Sequence, residues 1–500
     1  MNLQSYKTFQ LAVFSGIFIG FSYPPFVGAL AWVGFIPLIE IWVREKSKNS
    51  FFYSTLSALL ANIISLYWIG LNSGAEILPV LFSLIAAVLY LSFFWGVLGF
   101  ILSTFIKKND SMLLLVPFAW TGMELLRSYG ALGFPWLNLS LTQSKFLHLI
   151  QIIDFTGNEG IGFLIMLFNV IFYKVLSKKI HFQKALLYIA LLIAPILFYG
   201  NYKLNFFKTE NNIETRTVAV LQPNIDPNLK WDSSYREQLY TTMDSLNAIA
   251  YDMKPDLVLW PESALPSYLR LSSVKNKYKN ISSEKNIPSL IGTLDIVRNG
   301  NIKKVHNGSI YFGRNIEKMY YKIFLVPFAE YNPLLNNSYL KNFSYWDFGQ
   351  GSFTPGKEFT TFPLDSILFS NIICYESSHP KISRNLILNG ARFLTIQAND
   401  AWLANSSGVR QHFELARLRA IEMRTGIVRS ANTGISGIID PAGRVIEKIP
   451  FNTQKVFKNK VVLNAELSFF TKYGNIFSWL CVLFFLLFTI SKCILRKLNY

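Results

Sequence analysis

Three residues of this chain, taken in order, can break an ester or amide through a covalent thioester. Glu262 closes the apolar run in LVLWPES, Lys322 stands in YYKIFLVPFAEY, and Cys374 stands in NIICYES. They supply an acid/base carboxylate, a fixed cation and a thiol nucleophile. Cys374 follows the strand-like Ile367–Ile373 and precedes Pro380 and a helical pattern at Ile382–Leu388. A strand-to-helix turn exposes a nucleophile, and a helix N-terminus with a nearby cation lowers a thiol pKa from its free value of about 8.5. Glu262, just after Trp260 and Pro261, is predicted to be poorly solvated, which raises a carboxylate pKa and suits it to take the thiol proton. Lys322 in its apolar setting could stabilise the oxyanion of a tetrahedral intermediate. Taken singly, each residue has a plainer reading: a buried structural cysteine, a strand-end or helix-capping carboxylate, and a snorkelling surface lysine.

Positioning such groups falls to the polar middle of the chain. RTVAVLQPN (Arg216–Asn224), DLVLWPE (Asp256–Glu262), SLIGTLDIV (Ser289–Val297), SILFSNIICYE (Ser366–Glu376) and ARFLTIQAND (Ala391–Asp400) read as buried strands. Tyr235–Tyr251 and His412–Arg424 read as amphipathic helices, and Ile427–Asp440 as two strands around a turn at Asn432–Gly434. Alternation of this kind predicts a layered α/β domain.

Around that block the chain is built for a bilayer. It is 51% hydrophobic and only 16% charged over 500 residues, against roughly 25% charged residues in a soluble domain, and its mean hydropathy is +0.30. Seven apolar spans precede the block, at Phe9–Tyr23, Ala29–Val43, Phe52–Leu71, Leu78–Ile106, Met112–Leu126, Gly160–Tyr173 and Ala185–Tyr199, and an eighth, Phe469–Ile490, follows it. A bilayer core takes about 20 apolar residues per helix. The second, fifth, sixth and seventh spans are shorter than that, so their edges stay open. The expected organisation is a membrane domain over residues 1–200, an extracytoplasmic catalytic domain over 201–468, and an eighth transmembrane helix with a cytoplasmic tail over 469–500. Span one reads as a retained signal anchor.

The net charge of +18 invites a nucleic-acid reading, which the placement of the charges excludes. Arg44, Lys46 and Lys48 follow span two, Lys107 and Lys108 span four, Lys178, Lys179 and Lys184 span six, and Lys492, Arg496 and Lys497 span eight. The turns Pro24–Leu30 and Asn72–Ile77 contain no Lys or Arg. Cytoplasmic loops carry the positive excess, so both termini are predicted cytoplasmic and the polar block outside. Cys374, Cys481 and Cys493 have neither metal-ligand spacing nor a disulfide framework, and no metal or diffusible cofactor is implied.

With their flanks the three residues resemble the Glu-Lys-Cys triad of the nitrilase superfamily, whose fold is a four-layer α-β-β-α sandwich. The whole chain, with apolar spans before and after the domain, resembles the apolipoprotein N-acyltransferase family of bacterial envelopes. Further blocks carry the likeness: LQPNIDPNLKWD (Leu221–Asp232), QANDAW (Gln397–Trp402), QHFELARLRAIEMR (Gln411–Arg424), RSANTGISGIIDPAG (Arg429–Gly443) and GFPWLNL (Gly133–Leu139). Two stretches depart from it. Trp402–Phe413 lacks the usual aromatic-glycine-aspartate run, and Thr471–Asn475 lacks an arginine.

By that resemblance Glu262 is the general base, Lys322 steadies the oxyanion and Cys374 carries the acyl thioester. Glu330 and Glu376 match supporting carboxylates, Tyr375 a tyrosine beside the nucleophile, and Trp231 a tryptophan on a mobile arm at the lipid entrance. The implied fold is a multi-pass membrane domain of eight transmembrane helices plus a nitrilase-like α/β sandwich. The implied reaction moves an acyl chain from a phospholipid, phosphatidylethanolamine above all, to the α-amine of a diacylglyceryl-cysteine apolipoprotein. It would be done by a monomer in the bacterial inner membrane. The rival readings are a membrane-tethered nitrilase-type amidase or hydrolase, and a catalytically inactive polytopic sensor.

Overall fold

A computed structural model describes residues 3–74, 76–106, 110–209, 214–300, 302–332, 353–464 and 466–498. Lys107 and Lys108 of the charged turns lie outside them, as do the side chains of Lys492, Cys493, Arg496 and Lys497. The chain forms two compact units. One comprises residues 1–67, 82–206 and 473–500, and the other residues 68–81 and 207–472.

The first unit is helical. Among the described residues, four helices are long and apolar enough to cross a membrane, at Ser47–Leu71, Ile77–Ile106, Glu159–Leu176 and Phe182–Lys208. The 30 residues of Ile77–Ile106 span about 45 Å at 1.5 Å per residue, well beyond a hydrocarbon core of about 30 Å. Of the eight expected spans, the remaining four come out shorter or broken. The first is a helix of 13 residues, Thr8–Gly20. The second divides into Ala31–Gly34 and Ile36–Arg44, the latter with a proline in its first turn. The fifth becomes a 3-10 turn leading into Val116–Arg127. The eighth breaks at Gly474, which has a φ of 67°, into Phe469–Tyr473 and Ile476–Leu498. A further short apolar stretch, Leu147–Thr156, was not predicted.

Helices in this unit approach closely along small residues, as apolar surroundings require when van der Waals packing must drive association. A Cβ at Gly16 would lie 2.5 Å from the Ser57 carbonyl oxygen. The GFPWLNL loop is held from within: Glu124 Oε1 accepts the Leu139 N–H at 2.8 Å, and Arg127 donates to the Leu137 carbonyl and to Asn138 Oδ1, each at 3.0 Å.

Among its described residues the second unit holds twelve strands: β1 (Thr215–Gln222), β2 (Leu257–Leu259), β3 (Ser289–Asn299), β4 (Ile302–Gly313), β5 (Ile316–Tyr321), β6 (Thr361–Leu364), β7 (Ile367–Ile373), β8 (Ala391–Ala398), β9 (Ile427–Ala431), β10 (Ser436–Ile439), β11 (Val445–Ile449) and β12 (Lys455–Val462). They form two six-stranded sheets, ordered β12-β1-β2-β3-β4-β5 and β11-β10-β9-β8-β7-β6. Pairing is parallel along β1-β2-β3 and along β7-β8-β9 and antiparallel elsewhere.

Three apolar clusters bind four layers. Val220, Leu259, Phe369, Phe393 and Val428 fill the space between the sheets. Leu239, Met243 and Tyr278, on helices Arg236–Asp252 and Lys275–Lys285, cover the first sheet. Ile382, Leu386, Phe413 and Ala420, on helices Pro380–Leu388 and Ser407–Met423, cover the second. This is the expected α-β-β-α sandwich. The helix predicted to start at His412 starts five residues earlier, because Ser406 caps it by accepting the Gly408 N–H at 3.1 Å. The predicted strand Asp256–Glu262 shrinks to Leu257–Leu259: Pro261 has no N–H to extend the ladder.

A buried polar seam fixes one sheet against the other. Asn371 Nδ2 donates to Ser309 Oγ and Gln397 Oε1, both at 2.9 Å, and Gln397 Nε2 donates to the Trp260 carbonyl at 2.7 Å. Asn371 lies three residues before Cys374 and Trp260 two before Glu262, so the seam sets the register of the two sheets near the predicted chemistry.

Candidate active site

Glu262 is delivered by the turn after β2. Ser263 takes a left-handed φ of 45° there, and Gly292 on β3 leaves the turn room. A Cβ at that glycine would lie 2.2 Å from the Pro261 carbonyl oxygen. Lys322 follows β5 directly, its backbone pinned on both sides. Its N–H donates to the Asn307 carbonyl at 2.9 Å, and the Gly356 N–H donates to its own carbonyl at 2.7 Å. Cys374 ends β7 and opens the 3-10 turn Cys374–Ser378, ahead of the helix Pro380–Leu388. Its φ of 51° is unusual for a residue with a Cβ and costs about 1–3 kcal/mol, the kind of strain that gathers at functional turns.

The side chains converge. Lys322 Nζ lies 2.8 Å from Glu330 Oε1 and 3.8 Å from Glu262 Oε1. Asn307 Nδ2 donates to Glu262 Oε1 at 2.8 Å and to Glu330 Oε1 at 3.2 Å, and Glu330 Oε2 accepts the Val326 N–H at 2.8 Å. Lys322 is 1% exposed, Glu330 5% and Glu262 7%. The Cys374 thiol lies within electrostatic reach of all three.

Two carboxylates thus share one ammonium. Burial disfavours the charge on Lys322, but Glu330 and Glu262 outweigh it and hold its pKa above the ordinary lysine value. Burial raises the Glu262 pKa, and repulsion from Glu330 adds to the rise against the pull of Lys322 and Asn307. Burial and then Glu262 push the Cys374 thiol well above its usual pKa, with Lys322 opposing. This corrects the expectation of a lowered thiol pKa: loss of solvent outweighs the cation. These directions favour a neutral thiol, a carboxylate of raised pKa and a persistent ammonium side by side.

Glu376 is fully buried and grips both loops. Its Oε1 accepts the Ile323 N–H at 2.7 Å and the Phe324 N–H at 3.1 Å. Its Oε2 accepts the Ile373 N–H at 2.8 Å, and the Tyr320 hydroxyl donates to both oxygens. Burial pushes its pKa up to about 7 while those N–H groups pull it down. Tyr375 is buried with its ring edge-on to His379 at 5.1 Å. Trp231 is 52% exposed on the segment after β1. Its neighbour Lys230 is buried, and burial lowers its pKa to about 8 with Glu262 opposing.

Sequence reasoning missed Asn307 and Lys230, and also Asp400, His412 and Arg429, which meet behind Cys374. Asn307 sits in KKVHNGS, where polar residues mask the strand β4. Asp400, His412 and Arg429 all fall in the blocks singled out above, but nothing in their spacing shows that they touch. Among the described residues no group of three or more His, Cys, Asp or Glu side chains is arranged to hold a metal ion. The array can accept a thiol proton, form a covalent bond at sulfur and steady negative charge on oxygen.

Residues 15–171 match the family model for the apolipoprotein N-acyltransferase N-terminal domain, and residues 217–466 match that for carbon-nitrogen hydrolase. The chain is 31% identical to the apolipoprotein N-acyltransferase of Geobacter metallireducens, covering 95% of this chain and 93% of that protein. It is 30% identical to the protein of that name from Chlorobaculum tepidum, over 95% of each. It is 28% identical to that from Rickettsia prowazekii, over 96% of this chain and 98% of that one. Among solved structures, a carbon-nitrogen hydrolase from Helicobacter pylori is 15% identical, covering 49% of this chain and 89% of its own at a TM-score of 0.39.

Proposed function

Because the chain belongs to the apolipoprotein N-acyltransferase family, we propose that it moves a phospholipid acyl chain, through a thioester on Cys374, to the α-amine of a diacylglyceryl-cysteine apolipoprotein. Glu262 takes the thiol proton as sulfur attacks the sn-1 ester carbonyl of a donor such as phosphatidylethanolamine. Lys322 steadies the oxyanion, and the departing lysophospholipid alkoxide takes the proton back from Glu262. In the second half the α-amine gives a proton to Glu262 and attacks the thioester. The oxyanion again faces Lys322, and the expelled thiolate recovers its proton. The observation that carries this reading is the buried Glu262–Lys322–Glu330 array beside a cysteine held in a strained turn.

The test is a two-stage incubation. Purified enzyme mixed with phosphatidylethanolamine is expected to gain one acyl group on Cys374, stable until a diacylglyceryl peptide is added and then discharged to the peptide amine. Discharge to water at the same rate without peptide would instead favour the amidase or hydrolase reading. Absence of any adduct would favour the inactive sensor.

In this reading all eight apolar spans cross the bacterial inner membrane and the sandwich faces the periplasm. Support comes from the four long apolar helices and the lysine and arginine bias of alternate turns. In an otherwise cysteine-free chain, Gln238→Cys on the exposed face of its helix should react with a membrane-impermeant maleimide in intact spheroplasts. Asn49→Cys should react only after lysis. The reverse pattern would overturn the orientation.

A further inference from the structure

Against the Cys374 backbone lies a buried group that the acyl-transfer steps do not use. His412 Nδ1 sits 2.6 Å from Asp400 Oδ1, and Arg429 Nη2 donates to Asp400 Oδ2 at 2.7 Å. Arg429 Nη2 also lies 3.0 Å from His412 Nδ1, and Arg429 Nε donates to the Ile435 carbonyl at 3.1 Å. The opposite ring nitrogen, Nε2, lies 3.0 Å from the Cys374 carbonyl oxygen and 3.1 Å from Ser377 Oγ. His412 and Asp400 are each 1% exposed and Arg429 is fully buried.

A carbonyl oxygen only accepts, so the bond to Cys374 requires a proton on Nε2. The direction of that carbonyl is the ψ angle of Cys374. One residue upstream, the Ile373 N–H is already fixed by Glu376. The strained Cys374 backbone is therefore held from both sides, which orients the Cα–Cβ bond that carries the thiol. We infer that His412, braced by Asp400 and Arg429, is a positioning residue that holds the left-handed Cys374 backbone so that the thiol faces its base and cation. A misplacement of about 1 Å at a reacting group costs on the order of a hundredfold in rate. That sensitivity gives a reason for a buried histidine to be set against the carbonyl of Cys374.

The inference rests on Cys374 being the nucleophile of the proposed reaction, and its test is separable from the lipid chemistry. A short-chain nitrophenyl ester acylates a correctly placed thiol and releases nitrophenolate in a burst, whatever the natural donor. His412→Phe in the full-length enzyme removes the donor to the carbonyl. His412→Gln restores it, because a glutamine amide nitrogen stands about as far from Cβ as Nε2. The expected result is a burst rate lowered about tenfold to a hundredfold in His412→Phe with half-saturation by ester within about twofold of wild type. His412→Gln should recover most of that rate, and Ser377→Ala should keep it. His412→Asn, which can reach Asp400 but not the carbonyl, should resemble the phenylalanine variant and keeps the comparison usable if that variant does not fold. Equal burst rates in the glutamine and asparagine variants, or a loss reproduced by Ser377→Ala, would overturn the role. An enzyme that shows the burst but takes no acyl group from phospholipid would overturn the donor assignment and leave the positioning role intact.

Discussion

On the proposed reading, Cys374→Ser is expected to leave the protein folded and to remove the acyl-enzyme. Serine matches cysteine in shape and meets the same φ of 51°, so the fold should persist. The chemistry does not survive. A hydroxyl proton is far less acidic than a thiol proton, and burial already makes deprotonation hard at this position. Lys322 gives an alkoxide no more help than a thiolate, so Glu262 has too little driving force. Loss of the nucleophile should lower turnover by about 10⁴–10⁶-fold. Mass spectrometry of the intact enzyme after incubation with phospholipid is the direct measurement: one acyl-sized increment on wild type, none on the variant. An increment carried by Cys481, with Cys374 free, would overturn Cys374 as the site of the thioester.

Glu262→Gln tests the base. The amide oxygen can still accept from Asn307, and Lys322 keeps Glu330 at 2.8 Å, so the ammonium is not left unpaired and the fold should hold. What disappears is the ability to accept a proton, worth about 10²–10⁴-fold in a general-base step. The pH profile separates this from a packing defect. In wild type the base works only when ionised, so acylation slows as pH falls through the Glu262 pKa. Burial and Glu330 raise that pKa, so the decline should begin above the ordinary carboxylate range. In Glu262→Gln the residual rate should lose that limb. Acylation of the variant at the wild-type rate would transfer the base role to Glu330, the other carboxylate on Lys322.

Legibility followed how local each constraint is. Glu262 and Cys374 could be picked out because each follows an apolar strand, and Lys322 because it stands in the apolar run YYKIFLVP, places that seldom tolerate a charge or thiol without a reason. β7 and β8 were readable for the same cause: both are buried and rich in β-branched or large apolar residues. β4 and β5 were not, since the charges in KKVH and IEKM break the apolar pattern. Asn307 vanished with them. His412 lay within a helix that was recognised, but its partners Asp400, Arg429 and the Cys374 carbonyl come from three other elements, and only the packing of β8 and β9 against that helix unites them. The breaks near Phe35 and at Gly474 escaped because hydropathy reports apolarity and is blind to where backbone direction changes.

Glu376 carries a consequence for how one pocket can serve two unlike visitors. A single carboxylate ties the backbone just before the sulfur to the backbone just after the ammonium. The spacing between those groups is therefore a ruler inside the wall, indifferent to what fills the mouth. A glycerolipid and a lipidated peptide differ in bulk, charge and flexibility. On the proposed reading, each must bring a carbonyl carbon or a nitrogen to the same fixed gauge. All accommodation of their differences then falls on segments outside the ruler, such as the exposed Trp231 stretch. Variation there can retune which lipids and peptides are accepted without recalibrating the bond-making step.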